Sequence, residues 1–159
     1  MCENREKIFM QEALKLAKEA AFYGEVPVGA VIVKNEEIIA TGRNRRELGK
    51  NSLYHAEIEA INNACKFLNE WRLCDCDLYV TLEPCPMCAG AIINARIRRL
   101  VYGAKDKKAG SCGSILNLFD FPYNHKPEVV SGILEEECSE ELKNFFKKLR
   151  IKNKNKFSL

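Results

Sequence analysis

Residues 80–95 read VTLEPCPMCAGAIINA, a short apolar run that breaks at Glu83-Pro84 and resumes from Pro86 as a helical pattern. The first part, Leu78 to Leu82, predicts a strand inside a sheet, and Pro86 to Ala95 predicts a helix with Pro at its start. Cys85 and Cys88 sit where that helix opens. Their i, i+3 spacing puts both sulfurs on one face near the positive end of the helix dipole, which favours the thiolate form that a metal needs. Thirty positions upstream of Cys85, His55-Ala56-Glu57 opens another helical pattern. Two thiols spaced C-x-x-C, an imidazole and a carboxylate two residues beyond it make up a catalytic zinc site with three protein ligands and one open position.

The flanking sequence alternates between the two periods of secondary structure. Arg5 to Tyr23 places Ile8, Phe9, Ala13, Leu16, Ala17 and Ala20 at helical spacing and stops at Gly24. Val28 to Val33 and Glu37 to Thr41 predict a hairpin turning on Lys34-Asn35-Glu36. A polar, basic loop (Gly42 to Leu53) leads to a helix over Tyr54 to Trp71, with Ile58, Ile61, Ala64, Cys65 and Leu68 on one face. After the central stretch come a strand at Arg99 to Gly103, one helical turn within Ser114 to Phe119, a weaker strand at Glu128 to Ser131 and a final helix from Glu135 to about Lys152. The pattern predicts an α/β protein, a three-layer α/β/α sandwich around a mixed central sheet. There is no repeat and no linker, so residues 1–159 are expected to form one domain, with a basic C-terminal helix and tail from about residue 135.

Composition narrows the setting. With 159 residues, 47% hydrophobic and 30% charged, the chain is sized for one buried core. No apolar run approaches the ~20 residues that span a bilayer, and residues 1–18 lack a signal-peptide pattern, so a cytoplasmic protein is expected. The eight cysteines are then expected to be reduced, most of them as small buried hydrophobes. Residues 142–159 hold seven of the 25 Lys and Arg and none of the 22 Asp and Glu, so this segment carries +7 and the rest −4. Such a segment suits a polyanion.

With 5 Pro and 8 Cys in the chain, P-C-x-x-C is expected by chance only about 0.01 times. A structural zinc site would want a fourth ligand. The other histidine, His125, and Cys74, Cys76 and Cys112 have no evident place beside Cys85. A redox C-x-x-C leaves His55 and Glu57 unexplained. In the catalytic reading Glu57 is free of the metal. It takes a proton from a water whose pKa such an ion lowers to roughly 7, then passes it to a ring nitrogen and to a departing amine.

The runs Glu25 to Val31 (EVPVGAV), His55 to Ile58 (HAEI), Thr81 to Gly90 (TLEPCPMCAG) and Gly103 to Asp106 (GAKD) resemble the bacterial tRNA-specific adenosine deaminases, of the cytidine deaminase-like superfamily, over nearly the whole chain. The resemblance implies deamination of the wobble adenosine of a tRNA to inosine by a homodimer with one zinc ion per subunit. Its partner would be the tRNA anticodon stem-loop, with no membrane involved. Carried over by position, His55, Cys85 and Cys88 would be the ligands and Glu57 the proton shuttle. Asn44, Val28, Ala56 and Pro84 would surround the base, together with the turn from Glu25 to Pro27. Asp106 and Lys108 would contact RNA beside the flipped base, and Phe145, Phe146 and Arg150 would reach flanking nucleotides.

Each of these residues has a plainer reading. Asn44 can satisfy its own turn, Val28 is a strand residue, Asp106 can cap a loop, and one of Phe145 and Phe146 is expected in the core. His125 stays unassigned, with phosphate or dimer contact as options, and the basic tail can be merely solubilising. The chain departs from the family at Asn51-Ser52-Leu53-Tyr54, where an Asp-Pro-Thr-Ala type of segment is expected, and in the loop Phe119 to His125. A bulky Tyr54 beside the site would reshape the pocket. Two other functions therefore remain open: a deaminase of a free base or nucleoside with the same chemistry, and a silent zinc- and RNA-binding module, against which the intact Glu57 argues.

Overall fold

The computed structural model describes residues 2–158. Its order is α1 (Cys2–Phe22), β1 (Gly29–Lys34), β2 (Glu37–Arg43), α2 (Arg46–Gly49), α3 (Ala56–Leu68), β3 (Cys76–Leu82), α4 (Pro86–Ala95), β4 (Arg99–Ala104), a 3-10 turn (Leu118–Asp120), β5 (Glu128–Ser131) and α5 (Glu135–Lys156). The strands form one mixed sheet in the order β2-β1-β3-β4-β5. Strand β1 is antiparallel to both neighbours, and β3, β4 and β5 are parallel. Four strands therefore run one way and β1 the other.

Alternation along the strands divides the core into two layers. Ala30, Ile32, Leu78, Val80 and Leu100 face α3 and α4. Val31, Val33, Tyr79 and Val101 face Phe9, Met10, Ala13 and Leu14 of α1 and Cys138 of α5. The three-layer sandwich expected from the pattern is present. The two helices that open on His55 and Cys85 lie side by side on the same face of the sheet.

Several local expectations need correction. Helix α3 ends at Leu68, because Asn69 turns left-handed (φ 50°) and its N–H donates to Cys65 and Lys66 carbonyls. Its fully buried stripe is Ala56, Ala60 and Ala64, with Glu57 beside it. The larger Ile58, Ile61, Cys65 and Leu68 are only half-buried, because α3 rests so close on β2 that small residues take the contact. The loop after β2 holds the short helix α2, and the turn near residue 118 lies later than expected. Helix α5 runs to Lys156, so the basic segment is helical through that residue. Phe145 and Phe146 meet edge to face with ring centroids 5.4 Å apart, Phe146 is exposed, and neither belongs to the core clusters. Of the eight cysteines, only Cys76, Cys88, Cys112 and Cys138 are buried. Among the described residues no helix is long and apolar enough to cross a membrane.

Candidate active site

Topology brings the site together at one end of the sheet. The carboxyl ends of β2, β3 and β4 lead into Asn44, Glu83 and Lys105, and the start of the reversed β1 adds Val28. The registers Gly29↔Arg43, Ala30↔Val80 and Leu82↔Ala104 align these ends. Helices α3 and α4 both begin there, with their N–H groups directed at the same space.

His55 and Cys85 are the N-cap residues of α3 and α4, and neither side chain makes a capping hydrogen bond. Both are left free to meet. His55 Nδ1 lies 3.6 Å from Cys85 Sγ and 3.6 Å from Cys88 Sγ. Tetrahedral zinc, with Zn–S of about 2.3 Å and Zn–N of about 2.0–2.1 Å, holds N and S roughly 3.6 Å apart. Their donor atoms lie within 4.8 Å of one another, and this is the His/Cys/Asp/Glu cluster found among the described residues that could hold a metal ion. The donor set and its spacing fit zinc. The hydrogen bond from Cys88 holds the Cys85 thiol down to about 4, with His55 adding to the effect, so Cys85 is the readier thiolate. His55 is raised above its ordinary value by the hydrogen bond with Cys85.

Glu57 is buried in the first turn of α3, and burial pushes its carboxyl up to about 6, against the opposing effect of the backbone N–H groups and His55. A carboxyl poised there can accept and release a proton near neutral pH. It borders a cavity of about 190 Å³. One side of this cavity is His55, Ala56, Glu57 and Cys85, the segment leading into β1 contributes Val26 and Val28, the end of β3 contributes Leu82, and the lips are Asn44 with Arg46 and Asp106 with Ala109. That is smaller than the roughly 300–1,000 Å³ of drug-sized ligand pockets and suits a single small ring system.

Of the residues singled out in the sequence, His55, Ala56, Glu57, Cys85, Asn44, Val28 and Asp106 line the cavity, and Cys88 is buried behind it. Pro84 does not line it. The carbonyl of Pro84 instead accepts from Ser111 N at 2.9 Å. Lys108 is exposed outside, and Phe145, Phe146 and Arg150 on α5 are not part of the lining. Asn44 serves its own loop as well: Nδ2 donates to Val26 O at 3.2 Å and Oδ1 accepts from Arg46 N at 3.3 Å. Asp106 Oδ1 likewise accepts from Lys108 N and Ala109 N. Tyr54 is not among the lining residues; its ring packs on Gly49, with the Arg45 guanidinium 5.6 Å from the ring centroid. His125 Nε2 lies 2.6 Å from Ile97 O, a contact within the fold.

Two of the buried carboxylates brace loops around the site: Glu25, which the sequence placed only within the turn expected to wall the pocket, and Glu83, which it left unassigned. Glu25 accepts from Glu47 N and Leu48 N, both at 2.9 Å, and so caps α2 from outside that helix. Glu83 accepts from Asp106 N and Ser114 Oγ on Oε1, and from Cys112 N and Ser114 N on Oε2. The available signal was an acid placed inside an apolar run, in EVPVGAV and in VTLEPC.

The chain matches the family model of the MafB19-like deaminases over residues 3–150. It is 52% identical over 151 residues to the tRNA-specific adenosine deaminase of Bacillus subtilis (strain 168), covering 94% of each chain. It is 49% identical over 147 residues to the protein of the same name from Haemophilus influenzae, covering 91% of this chain and 85% of that one. Among solved structures it is similar to one from a study of A-to-I editing by tRNA:A34 deaminases at the wobble position of transfer RNA. That match has TM-score 0.82 and 48% identity, covering 84% of this chain and 98% of that one. A guanine deaminase from Nitrosomonas europaea matches with TM-score 0.77 and 25% identity, covering 87% of this chain and 83% of that one.

Proposed function

This chain belongs to the MafB19-like deaminase family and has a cytidine deaminase-like fold, and from that premise we propose that it deaminates adenosine to inosine at the wobble position of tRNA. The carrying observation is a metal-competent His55–Cys85–Cys88 cluster beside the buried Glu57, in a cavity sized for one base. The substrate is supported by relatives at 52% and 49% identity that bear the name tRNA-specific adenosine deaminase.

Zinc held by His55, Cys85 and Cys88 would supply Lewis-acid activation of the attacking water at its open position. The remaining steps fall to the chain. Asn44 has one N–H and one lone pair left after its loop bonds, and it orients the base between Val28 and Ala56. Glu57 removes a proton from the water as its oxygen bonds to C6 of the purine. It gives that proton to N1, takes the second one, and delivers it to the exocyclic nitrogen as the C6–N bond breaks. Water and adenosine thus become inosine and ammonia. The +7 carried by residues 142–159, beyond the acidic first turns of α5, supports backbone contact with RNA. We keep Asp106, Lys108, Phe145 and Arg150 as its contacts around the flipped base.

The reading includes a homodimer, on the resemblance of the sequence, and a cytoplasmic setting, which eight free cysteines support. A free-base deaminase is the second reading, favoured by the likeness to a guanine deaminase. Zinc-loaded protein incubated with an anticodon stem-loop bearing a wobble adenosine, and separately with adenosine, adenine, guanine and cytosine, distinguishes the two. Inosine in the stem-loop alone is the expected result. Ammonia from a free base with the RNA untouched would move the function to nucleobase metabolism.

A further inference from the structure

We propose that Glu83 is a positioning residue that locks the loop 106–114 onto the metal-ligand turn and thereby sets where Asp106 and Lys108 meet RNA. The inference rests on the tRNA reading above. Glu83 borders the cavity two residues before Cys85, where a carboxylate would be expected to touch metal or substrate. It has no capacity for either. Each of its oxygens already accepts two hydrogen bonds from the loop, and it lies outside the metal-competent cluster. Burying a carboxylate is tolerated only with such full satisfaction.

The loop is shaped around this carboxylate. A Cβ on Gly110 would stand 2.3 Å from Glu83 Oε2 and 2.4 Å from the Asp106 carbonyl, so only glycine lets the backbone close over it. Neighbouring bonds fasten the same two segments: Glu83 N donates to Ala104 O, and Ser111 N donates to Pro84 O. Within the loop, Asp106 spends Oδ1 on Lys108 N and Ala109 N and its carbonyl on Gly110 N. Its position is therefore fixed by what holds its own amide, and that is Glu83 Oε1 at 3.2 Å.

Glu83→Gln isolates this tether. An amide whose oxygen takes the Oε2 place still accepts from Cys112 N and Ser114 N. Its NH2 can donate to Ser114 Oγ, but it faces the Asp106 N–H donor to donor. In the zinc-loaded full chain we expect unchanged zinc content and faster hydrogen exchange at the Asp106 amide. We also expect a KM for the wobble-adenosine stem-loop raised about tenfold, with kcat within roughly threefold. Ser114→Ala, which removes only the hydroxyl's bond, gives a second test should Glu83→Gln not fold: KM rises ~3-fold, again with kcat held. Unchanged Asp106 exchange and KM, lost zinc, or a collapse of kcat at constant KM would each overturn the proposal. If wild type leaves the stem-loop untouched while Asp106 exchange still quickens in Glu83→Gln, the tRNA reading fails and the tether stands.

Discussion

Gly42 lies so close under the first turn of α3 that a Cβ there would stand 2.3 Å from the Ala56 carbonyl oxygen and 2.5 Å from Ala60 N. Both obstacles are backbone, so neither can swing aside. The contact seats α3 on β2 and fixes the height of its N-terminus, where His55 and Glu57 stand. Gly42→Ala is expected to lower stability by about 3 kcal/mol, a Tm drop of roughly 10 °C, and to weaken zinc affinity by tilting His55 away from Cys85. Thermal melts with and without chelator would detect both effects, and an unchanged Tm would contradict the packing.

Glu57→Gln removes the proton carrier while keeping the shape. Activity is expected to fall by about 10²–10⁴ with zinc content unchanged. If zinc is lost in parallel, Glu57 serves the metal site's structure instead.

The same variant reports on burial when the metal is stripped. Glu57 has a folded pKa of about 6 against an ordinary 4.5. Its contribution to stability is full below 4.5 and is lost as pH rises through 6, since folding then requires a buried charge. Metal-free Glu57→Gln should therefore exceed metal-free wild type by about 2 kcal/mol at pH 7, with the gap closing below pH 4.5. Urea titrations across that range measure it, and a pH-independent gap would refute the assignment.

Glu25→Ala would leave the Glu47 and Leu48 amides without their acceptor. A loss of about 1–3 kcal/mol is expected, with α2 fraying and KM rising as Asn44 and Arg46 loosen. Hydrogen exchange of the two amides checks the cause.

Lys147, Lys148 and Arg150, all exposed on α5, test the electrostatic part. Replacing all three with Ala should weaken stem-loop binding. The slope of log K against log salt should become shallower by up to about one unit per lost phosphate contact. Deamination of a saturating stem-loop should change little.

The sequence carried most of the architecture because each main element has a strong period. Pro86 to Ala95 and Glu128 to Ser131 were located to the residue, and spacing singled out His55, Cys85 and Cys88, whose donor atoms the fold brings within 4.8 Å of one another. What could not be read depends on partners distant in sequence. The four-residue α2 exists because Glu25 caps it, and no periodicity announces so short a helix. The fully buried stripe of α3 is alanine because of Gly42, a contact between separate elements. Glu83 had no assigned role, because the four hydrogen bonds that define it come from residues 106–114. One of Phe145 and Phe146 was expected in the core, but α5 carries both beyond the two core layers.

The reversed strand β1 has a further consequence, for the order in which the molecule forms. The β1–β2 hairpin closes locally, and α3 follows it after only the short α2. Helix α4, however, hangs from β3, which reaches the hairpin only through long-range pairs such as Ala30↔Val80. Such pairings carry a large loop-closure cost and form late. His55 and the two cysteines are therefore strangers until β1 has found β3. Capture of the proposed metal would then mark completed assembly, and a nascent chain would hold such an ion weakly until residues beyond Cys88 had been made.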